Sequence, residues 1–340
     1  MLISGSMLGG IGLTMAAGIM SGNCMLPLKF IKRWRWENTW LLFSLVSLLV
    51  LPWTLSIALV RNLLEIYTAL PGTQFLAPVL FGAGWGVAQI LFGLSVRRLG
   101  LGVGYAIIIG MGAVLGTLVP LFLGHHPPIS TASLVEIISG ILVMMLGIVL
   151  TAWGGQVRER AGHNAAPKEP SQGAYLPAVL LAVLCGFLAP MLNYAFVSGQ
   201  GLAVEAVRHG NTAITAAYAV WPIALLGGLI PNLAYSLVLL RRNKSWAEFR
   251  ESPRDAGYPA LMAVLWMGAF ALYGMSTAML GVLGTSIGWG LFQIFMIMTA
   301  TISGMLTAEW KSAPRSAIVF LTAGMVALIG ATILLSSGGR

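Results

Sequence analysis

The sequence predicts an all-α membrane protein in which ten transmembrane helices form two inverted repeats of five helices each. Three observations predict this fold class. Of the 340 residues, 58% are hydrophobic and only 9% are charged, whereas about a quarter of the residues in a typical soluble domain are charged. Ten segments are long and apolar enough to cross a bilayer, and the basic residues are concentrated in alternate connections between those segments.

The ten apolar segments are numbered here as spans 1 to 10. A helix needs about 20 mostly apolar residues to cross the hydrocarbon core of a bilayer. The spans cover residues 5–28, 38–60, 74–96, 101–123, 131–153, 176–199, 212–240, 257–280, 285–307 and 314–336. Span 1 lacks the basic start and the cleavage site of a signal peptide, so we expect it to be retained.

One connection has the composition of a linker and divides the chain into halves. Residues 154–173 combine Gly, Ala and Pro with several charged side chains, which is typical of a loop. The sequence therefore predicts a first repeat over residues 1–153 and a second over residues 174–340, each with five spans. Neither half contains a loop long enough for a soluble domain.

The basic residues predict how the chain is oriented. Those after the odd-numbered spans are Lys29, Lys32, Arg33 and Arg35, then Arg97 and Arg98, then Arg158, Arg160 and Lys168, then Arg241, Arg242, Lys244, Arg250 and Arg254, then Lys311 and Arg315. The termini and the other connections hold only Arg61, Arg208 and Arg340. Because cytoplasmic connections carry the excess of Lys and Arg, we expect a cytoplasmic linker and periplasmic termini. The net charge of +9 thus indicates topology and not nucleic-acid binding.

Five spans per half place the two halves in the membrane with opposite orientations, as in an inverted-topology repeat. A sequence match supports a duplication, although such matches also arise by chance in Gly-rich apolar sequence. Phe92–Gly100 in span 3 aligns without gaps on Tyr273–Gly281 in span 8. The identical positions are Gly93, Ser95, Leu99 and Gly100 with Gly274, Ser276, Leu280 and Gly281.

Spans 3 and 9 share a hexad that predicts a ligand site. It reads GWGVAQ from residue 84 and GWGLFQ from residue 288, so Trp85 and Gln89, like Trp289 and Gln293, share one helix face. An indole gives a flat apolar wall with an N–H donor, and an amide both donates and accepts hydrogen bonds. This combination suits a neutral polyhydroxyl ligand such as a sugar. Packing of the indoles and helix–helix bonding by the amides explain the pattern equally well.

Other polar residues within the spans extend this set of candidates. They are Asn23 in span 1, Asn193 and Tyr194 in span 6, Tyr218 and Trp221 in span 7, and Tyr273 in span 8. Polar groups deep in a span usually face protein or a water-filled cavity. Hydrogen bonds between helices account for any one of them alone. Only their convergence on one cavity indicates substrate binding.

Acidic residues are the candidates for proton coupling. Glu136 lies near the outer end of span 5, and Glu205 lies close to Arg208 and His209 in the connection between spans 6 and 7. Either carboxylate can take up a proton, and the alternatives are an interfacial position for Glu136 and a solvated loop for Glu205.

The sequence predicts no enzyme, cofactor or metal site. Cys24 and Cys185 lie inside apolar runs, and the adjacent His125 and His126 cannot form a metal site without further ligands. An intramembrane enzyme needs clustered acid, base or metal ligands, and the sequence contains no such cluster.

Four segments carry a resemblance to a known family. They are the basic, Trp-rich run Pro27–Trp40, the Leu51–Trp53 motif, the FGAGWG motif from residue 81 through Tyr105, and the AEWK turn at residues 308–311. With them the chain resembles the bacterial L-rhamnose-proton symporter family of the drug/metabolite transporter superfamily. The resemblance covers nearly the whole chain and is strongest from Pro27 to Pro120.

The resemblance implies a fold, an activity and a location. Spans 1 to 4 and 6 to 9 would surround a central cavity, with spans 5 and 10 at the periphery, in a multi-pass protein of the bacterial inner membrane. The implied partners are a small neutral sugar, a proton and membrane lipid. Glu205 falls where the family has Glu and is the first candidate for coupling. Gln89 stands where the family is expected to carry Asn, and a His is expected near Gln293.

Two other transport activities stay open at this point. The same superfamily fold supports export of drugs or metabolites, and a sugar uniporter needs no proton. Fold alone does not distinguish these activities.

Overall fold

The computed structural model describes residues 5–99, 101–123, 129–162 and 175–339. This part of the chain is helical and contains no strand. The helices are α1 Gly5–Asn23, α2 Trp36–Leu45, α3 Leu51–Leu59, α4 Leu63–Ala69, α5 Thr73–Leu99, α6 Leu101–Leu123, α7 Thr131–Gly162, α8 Tyr175–Leu188, α9 Met191–Ser198, α10 Gln200–Arg208, α11 Ala213–Ala216, α12 Trp221–Asn243, α13 Glu248–Glu251, α14 Gly257–Leu280, α15 Gly284–Leu306 and α16 Arg315–Gly338.

Within the described residues, nine stretches are long and apolar enough to cross a membrane. The longest, Pro253–Leu306, has 54 residues and contains two helices, α14 and α15. A short 3₁₀ turn at Gly281–Leu283 joins them. Gly281 has φ of +78°, a conformation that glycine adopts without the strain a side chain would add. Predicted spans 8 and 9 therefore fall within this single stretch.

Several spans are broken helices, and proline accounts for the breaks. In span 2 a π-helical turn at Val46–Val50 joins α2 to α3, and the N–H of Leu51 donates to the carbonyl of Val46. Pro52 follows directly, and it has no N–H to continue the ordinary ladder. In span 6, Pro190 lies between α8 and α9. A proline inside a span permits a kink, and the structure shows that at Pro190 the helix is broken.

Helix α7 extends beyond predicted span 5. It runs to Gly162, so the first part of the predicted linker is helical. Several of its apolar side chains are exposed at the outside of the bundle, including Leu142, Leu146 and Trp153. Such a surface suits contact with lipid.

Helices α7 and α16 pack against each other in antiparallel orientation along most of their length. Glycines on α7 face leucines on α16, which lets the backbones approach closely. The pairs are Gly140 with Leu335, Gly147 with Leu328 and Gly154 with Leu321.

The remaining long helices form the body of the bundle. Helix α1 packs on α14 and α15, α8 packs on α5 and α6, α12 packs on α5 and α2, and α6 packs on α15. Close packing of α5 on α12 depends on glycine. A Cβ atom added at Gly86 would lie 2.6 Å from the carbonyl oxygen of Gly228.

The connections after spans 1, 5, 7 and 9 meet on one face of the bundle, called the odd-connection face below. There, Arg35 pairs with Glu248 at 2.8 Å and Arg158 pairs with Glu309 at 3.3 Å. The connections after spans 2 and 6 meet on the opposite, even-connection face. The N–H of Arg61 donates to Oδ1 of Asn211 at 2.8 Å, and Nδ2 of Asn211 donates to the carbonyl of Arg61 at 3.1 Å.

Candidate functional site

A cavity of about 520 Å³ opens on the even-connection face. Its walls come from α9 and α10, from α11, and from the adjoining ends of α14 and α15. The polar residues of the lining are Gln200, Thr277, Thr285 and Ser286, and the ring of Phe196 adds an aromatic surface. None of the described residues that line it is charged. A neutral cavity of this size suits a small uncharged ligand with hydroxyl groups.

Phe196, which lines the cavity, belongs to a cluster of packed rings called the central aromatic cluster. Its members are Phe43, Trp85, Phe196, Trp221, Trp266, Phe270, Tyr273, Trp289 and Phe292, which come from six of the predicted spans. Phe196 stacks on Trp221 with ring centroids 4.6 Å apart. Trp85 stacks on Trp266 at 5.4 Å. All nine rings belong to the main buried core of the bundle.

Asn193 completes a helix that proline interrupts. Pro120 in α6 has no N–H for the carbonyl of Gly116, four residues earlier. Nδ2 of Asn193 donates to that carbonyl at 3.0 Å, and the hydroxyl of Tyr273 donates to Oδ1 of Asn193 at 2.7 Å. Nδ2 of Asn193 also donates to the carbonyl of Thr285 at 3.0 Å, and the Tyr273 hydroxyl lies 3.3 Å from the same carbonyl. Because Thr285 lines the cavity, this network lies directly behind the cavity wall.

Tyr194 and Trp289 donate to the same helix. The Tyr194 hydroxyl donates to the carbonyl of Leu115 at 2.8 Å, and Nε1 of Trp289 donates to the carbonyl of Gly112 at 3.1 Å. The structure thus brings four predicted site residues together around α6. Their donor groups all bond to protein.

The other four predicted contacts lie apart from this network. Trp85 is buried in the aromatic cluster, and Asn23 accepts a hydrogen bond from Oγ of Ser303. Gln293 is buried and Gln89 is half-buried, and neither amide bonds to any residue that the structure describes. None of the eight predicted residues is among those that line the cavity. Their contact with substrate stays a prediction.

The structure places Glu205 in helix α10 and Glu136 in the second turn of α7. The Glu205 carboxylate pairs with Arg208 at 2.9 Å and lies 3.5 Å from Nδ1 of His209, and its side chain is only 14% exposed. Glu205 is therefore part of an ion pair on a helix. Its neighbour Val204 lines the cavity. His125 and His126 lie outside the described residues.

The sequence analysis missed three acidic residues on the odd-connection face. Glu37 is buried and accepts hydrogen bonds from Asn243 and Ser245 at 2.8 and 2.7 Å. Asp255 is also buried and accepts the N–H groups of two residues in the connection after span 1. The sequence analysis counted only basic residues in these connections, so their acidic partners were passed over.

Glu309 is the third of these residues, and it lies between two cations. Its carboxylate bonds to Lys29 and to Arg158, and the Arg158 guanidinium lies 4.6 Å from the centre of the Trp310 ring. The hydrogen bond from Lys29, with the attraction of both cations, lowers the pKa of Glu309 below its usual value. These contacts join the ends of spans 1, 5 and 9.

Comparison with known proteins adds a family to this geometry. The family described as "L-rhamnose-proton symport protein" matches residues 4–339. The L-rhamnose-proton symporter of Yersinia pestis (strain Pestoides F) is 28% identical over 332 residues, which cover 94% of this chain and 95% of that protein. The L-rhamnose-proton symporter of Shigella dysenteriae serotype 1 is 29% identical over 332 residues, which again cover 94% of this chain and 95% of that protein.

Proposed function

This chain belongs to the L-rhamnose-proton symport protein family, and from that premise we propose that it takes up L-rhamnose or a related 6-deoxyhexose together with a proton. It is a multi-pass transporter of the inner membrane and not an enzyme. The neutral, hydroxyl-lined cavity on the even-connection face carries the proposal. A site for a small neutral ligand combines a mostly apolar or aromatic surface with a few hydrogen-bonding groups, and this cavity provides both.

The proposal includes a fold of ten helices in two inverted repeats, as in the drug/metabolite transporter superfamily. One constant sequence offset supports the duplication. The offset that relates Gly93 to Gly274 also relates Trp85 to Trp266 and Gly147 to Leu328. The indoles of Trp85 and Trp266 stack on each other, and Gly147 faces Leu328. Residues related by a two-fold axis meet each other only on that axis, so contact within both pairs supports the proposed pseudo-two-fold axis.

The contacts next to the Gly147–Leu328 pair agree with the proposed axis, because a two-fold rotation converts each of them into the other. At the same offset, Gly140 corresponds to Leu321 and Gly154 corresponds to Leu335. Gly140 faces Leu335 and Gly154 faces Leu321, so exchange of the halves turns one contact into the other. Helix packing shows the same correspondence. Helix α1 of the first half packs on α14 and α15 of the second, and α8 of the second half packs on α5 and α6 of the first.

Alternating access follows from this symmetry. The cavity opens on the even-connection face, while ion pairs and hydrogen bonds close the odd-connection face. With the termini in the periplasm, as the basic residues predict, the conformation is outward-facing. Rocking of the two repeats would close the cavity outside and release sugar and proton inside.

The predicted contacts keep their place in this proposal as residues to be tested. Trp289, Asn193, Tyr194 and Tyr273 hold the wall beside the cavity through α6. Trp85 and Gln293 are buried, and Gln89 and Asn23 are half-buried; we propose that these four side chains contact the sugar during the transition. Glu205 is the first candidate for proton coupling because its helix lines the cavity. Glu136 is the second.

Uptake of labelled L-rhamnose by proteoliposomes tests the function. A symporter accumulates sugar above the outside concentration when the outside is more acidic, and a protonophore abolishes the accumulation. A uniporter equilibrates the sugar at the same rate with or without the gradient. An exporter of drugs or metabolites gives no L-rhamnose uptake, which would contradict the proposal.

The role of Glu205 is tested in the same proteoliposomes. Glu205→Gln removes the titratable group and keeps the shape, so we expect loss of gradient-driven accumulation with retention of sugar exchange between the two sides. Glu65→Gln, at an exposed position of helix α4 on the same face, is the matched control. Accumulation by Glu205→Gln at the wild-type level would remove Glu205 from the coupling mechanism.

A further inference from the structure

Trp221 has a buried hydrogen-bond donor without an acceptor. The side chain begins helix α12 and is only 1% exposed. Its Nε1 is enclosed and bonds to no residue that the structure describes. A buried indole N–H normally has an acceptor, because an unpaired donor loses the hydrogen bond it makes with water in the unfolded chain.

The unpaired N–H lies at the wall of the cavity. The Trp221 ring stacks on Phe196, which lines the cavity. A Cβ atom added at Gly274 would lie 3.0 Å from Nε1 and 3.5 Å from Cβ of Ala217. Gly274 and Ala217 both line the cavity. The donor is therefore one atomic layer behind the cavity surface, beside a position that has no side chain.

The other repeat shows what a partnered tryptophan looks like. At the offset that relates Gly93 to Gly274, Trp221 corresponds to Trp40. Nε1 of Trp40 donates to Oδ1 of Asn232 at 2.8 Å, on the closed side of the bundle. The residue that corresponds to Asn232 is Leu51, whose side chain has no acceptor. Because Leu51 stands where the repeat would place an amide like that of Asn232, Trp221 lacks the acceptor that Trp40 has.

We propose that the indole N–H of Trp221 is a substrate hydrogen-bond donor that binds a hydroxyl of the sugar beside Gly274, where entry of the sugar moves the cavity wall enough to expose the enclosed Nε1. The inference rests on the proposed function, since a hydroxyl-bearing neutral ligand must enter this cavity. Phe196 presents an aromatic wall to the cavity, with the Trp221 ring stacked behind it, and such a wall suits the apolar face of a 6-deoxyhexose. The N–H at the edge of this wall then selects for a hydroxyl at one position of the ring.

The first test is Trp221→Phe, which removes the N–H and keeps the stacked ring. Equilibrium binding of L-rhamnose to the purified protein in detergent should weaken about tenfold, the usual effect of one lost hydrogen bond. Trp153→Phe, at an exposed position on α7, is the matched control and should bind like the wild type. Unchanged binding by Trp221→Phe would overturn the proposal.

Deoxy sugars separate direct contact from a structural role. The 2-deoxy, 3-deoxy and 4-deoxy analogues of L-rhamnose each lack one hydroxyl. If Trp221 donates to one of these hydroxyls, the corresponding analogue binds Trp221→Phe about as well as L-rhamnose does, while the other analogues lose affinity as in the wild type. An equal additional loss for every analogue would show a structural effect and would overturn the proposal.

Gly274→Ala provides a second variant that leaves the indole in place. The added methyl group covers Nε1, so binding should weaken by a similar factor, and the combination with Trp221→Phe should be no weaker than Gly274→Ala alone. Fully additive losses would contradict a shared contact. The wild type separates the two hypotheses, because its failure to bind L-rhamnose would reject the proposed function itself, whereas normal binding with insensitive variants rejects only the role of Trp221.

Discussion

At the scale of single residues, several polar side chains of the spans bond to helix α6. Asn193, Tyr194 and Trp289 donate to its main-chain carbonyls, and Tyr273 donates to Asn193. The sequence analysis identified Asn193, Tyr194, Tyr273 and Trp289 as polar groups within apolar segments. It did not predict that all four would bond near one helix. Their acceptors are main-chain atoms or side chains far away in sequence, and neither composition nor periodicity contains that information.

The hydrogen bond from Asn193 to Gly116 makes a prediction about stability. In Asn193→Ala, the Gly116 carbonyl and the Tyr273 hydroxyl each lose a partner, so the free energy of unfolding should fall by about 2 to 3 kcal/mol. Thermal unfolding in detergent measures the change. Pro120→Ala restores an N–H for Gly116, so Asn193→Ala should cost less in that background. An equal cost in both backgrounds would contradict the link to Pro120.

At the scale of elements, hydropathy placed the spans well because lipid requires long apolar helices with internal hydrogen bonds. It did not place the breaks within spans 2 and 6 or the short helix α4 between spans 2 and 3. Breaks depend on how neighbouring helices accommodate a proline, and span length alone is insensitive to them. The continuation of α7 into the predicted linker was not predicted, because the charged residues there were interpreted as a loop. Outside the membrane, several charged residue types are good helix formers.

The close contact of α7 with α16 predicts a strong effect of size at Gly147. A Cβ atom there would lie 2.8 Å from Cγ of Leu328, so Gly147→Leu should separate the helices and lower the unfolding temperature of the protein in detergent. Leu328→Ala should restore part of the loss by making room. Gly155→Ala is the matched control, because a Cβ atom at Gly155 meets nothing within 4 Å. A neutral Gly147→Leu would contradict the packing.

The ion pairs of Glu309 predict a pH dependence. Because folding lowers the pKa of this carboxyl group, its contribution to stability is present above the unfolded pKa of about 4.3 and is lost as the pH falls through the lower folded value. The side chain is 37% exposed, so solvent screening limits the contribution to about 1 kcal/mol or less.

Thermal unfolding of the wild type and Glu309→Gln between pH 7 and pH 3 measures this contribution. The wild type should be the more stable at pH 7, and the two curves should converge at the acidic end. Glu251→Gln serves as a control at an exposed acidic residue of the same face. A difference that grows as the pH falls would contradict the ionised state of Glu309.

At the scale of the whole molecule, the alternation of basic connections predicted which connections share a face. The structure agrees where it brings connections together: those after spans 1 and 7 bond to each other, as do those after spans 2 and 6. The sequence alone did not predict on which face the cavity opens. Which side is open depends on the free-energy difference between two packings of the same helices.

The orientation in the membrane gives a direct prediction. Trp246 lies on the odd-connection face and is exposed, and Arg208 lies on the even-connection face and is also exposed. A membrane-impermeant maleimide should label Arg208→Cys at the periplasmic surface of spheroplasts, and it should label Trp246→Cys only after permeabilisation. The native cysteines, Cys24 and Cys185, are buried and should give little background. The reverse pattern would place the termini in the cytoplasm.

The central claim is that sugar and proton move inward together, and sugar-induced proton flux tests it most directly. Proteoliposomes that contain a pH-sensitive dye are supplied with L-rhamnose outside, with no pH gradient at the start and with the membrane potential held at zero. Symport predicts that the interior becomes acidic on addition of sugar, with proton influx in proportion to sugar influx. Uptake of L-rhamnose without any change of internal pH would contradict the account.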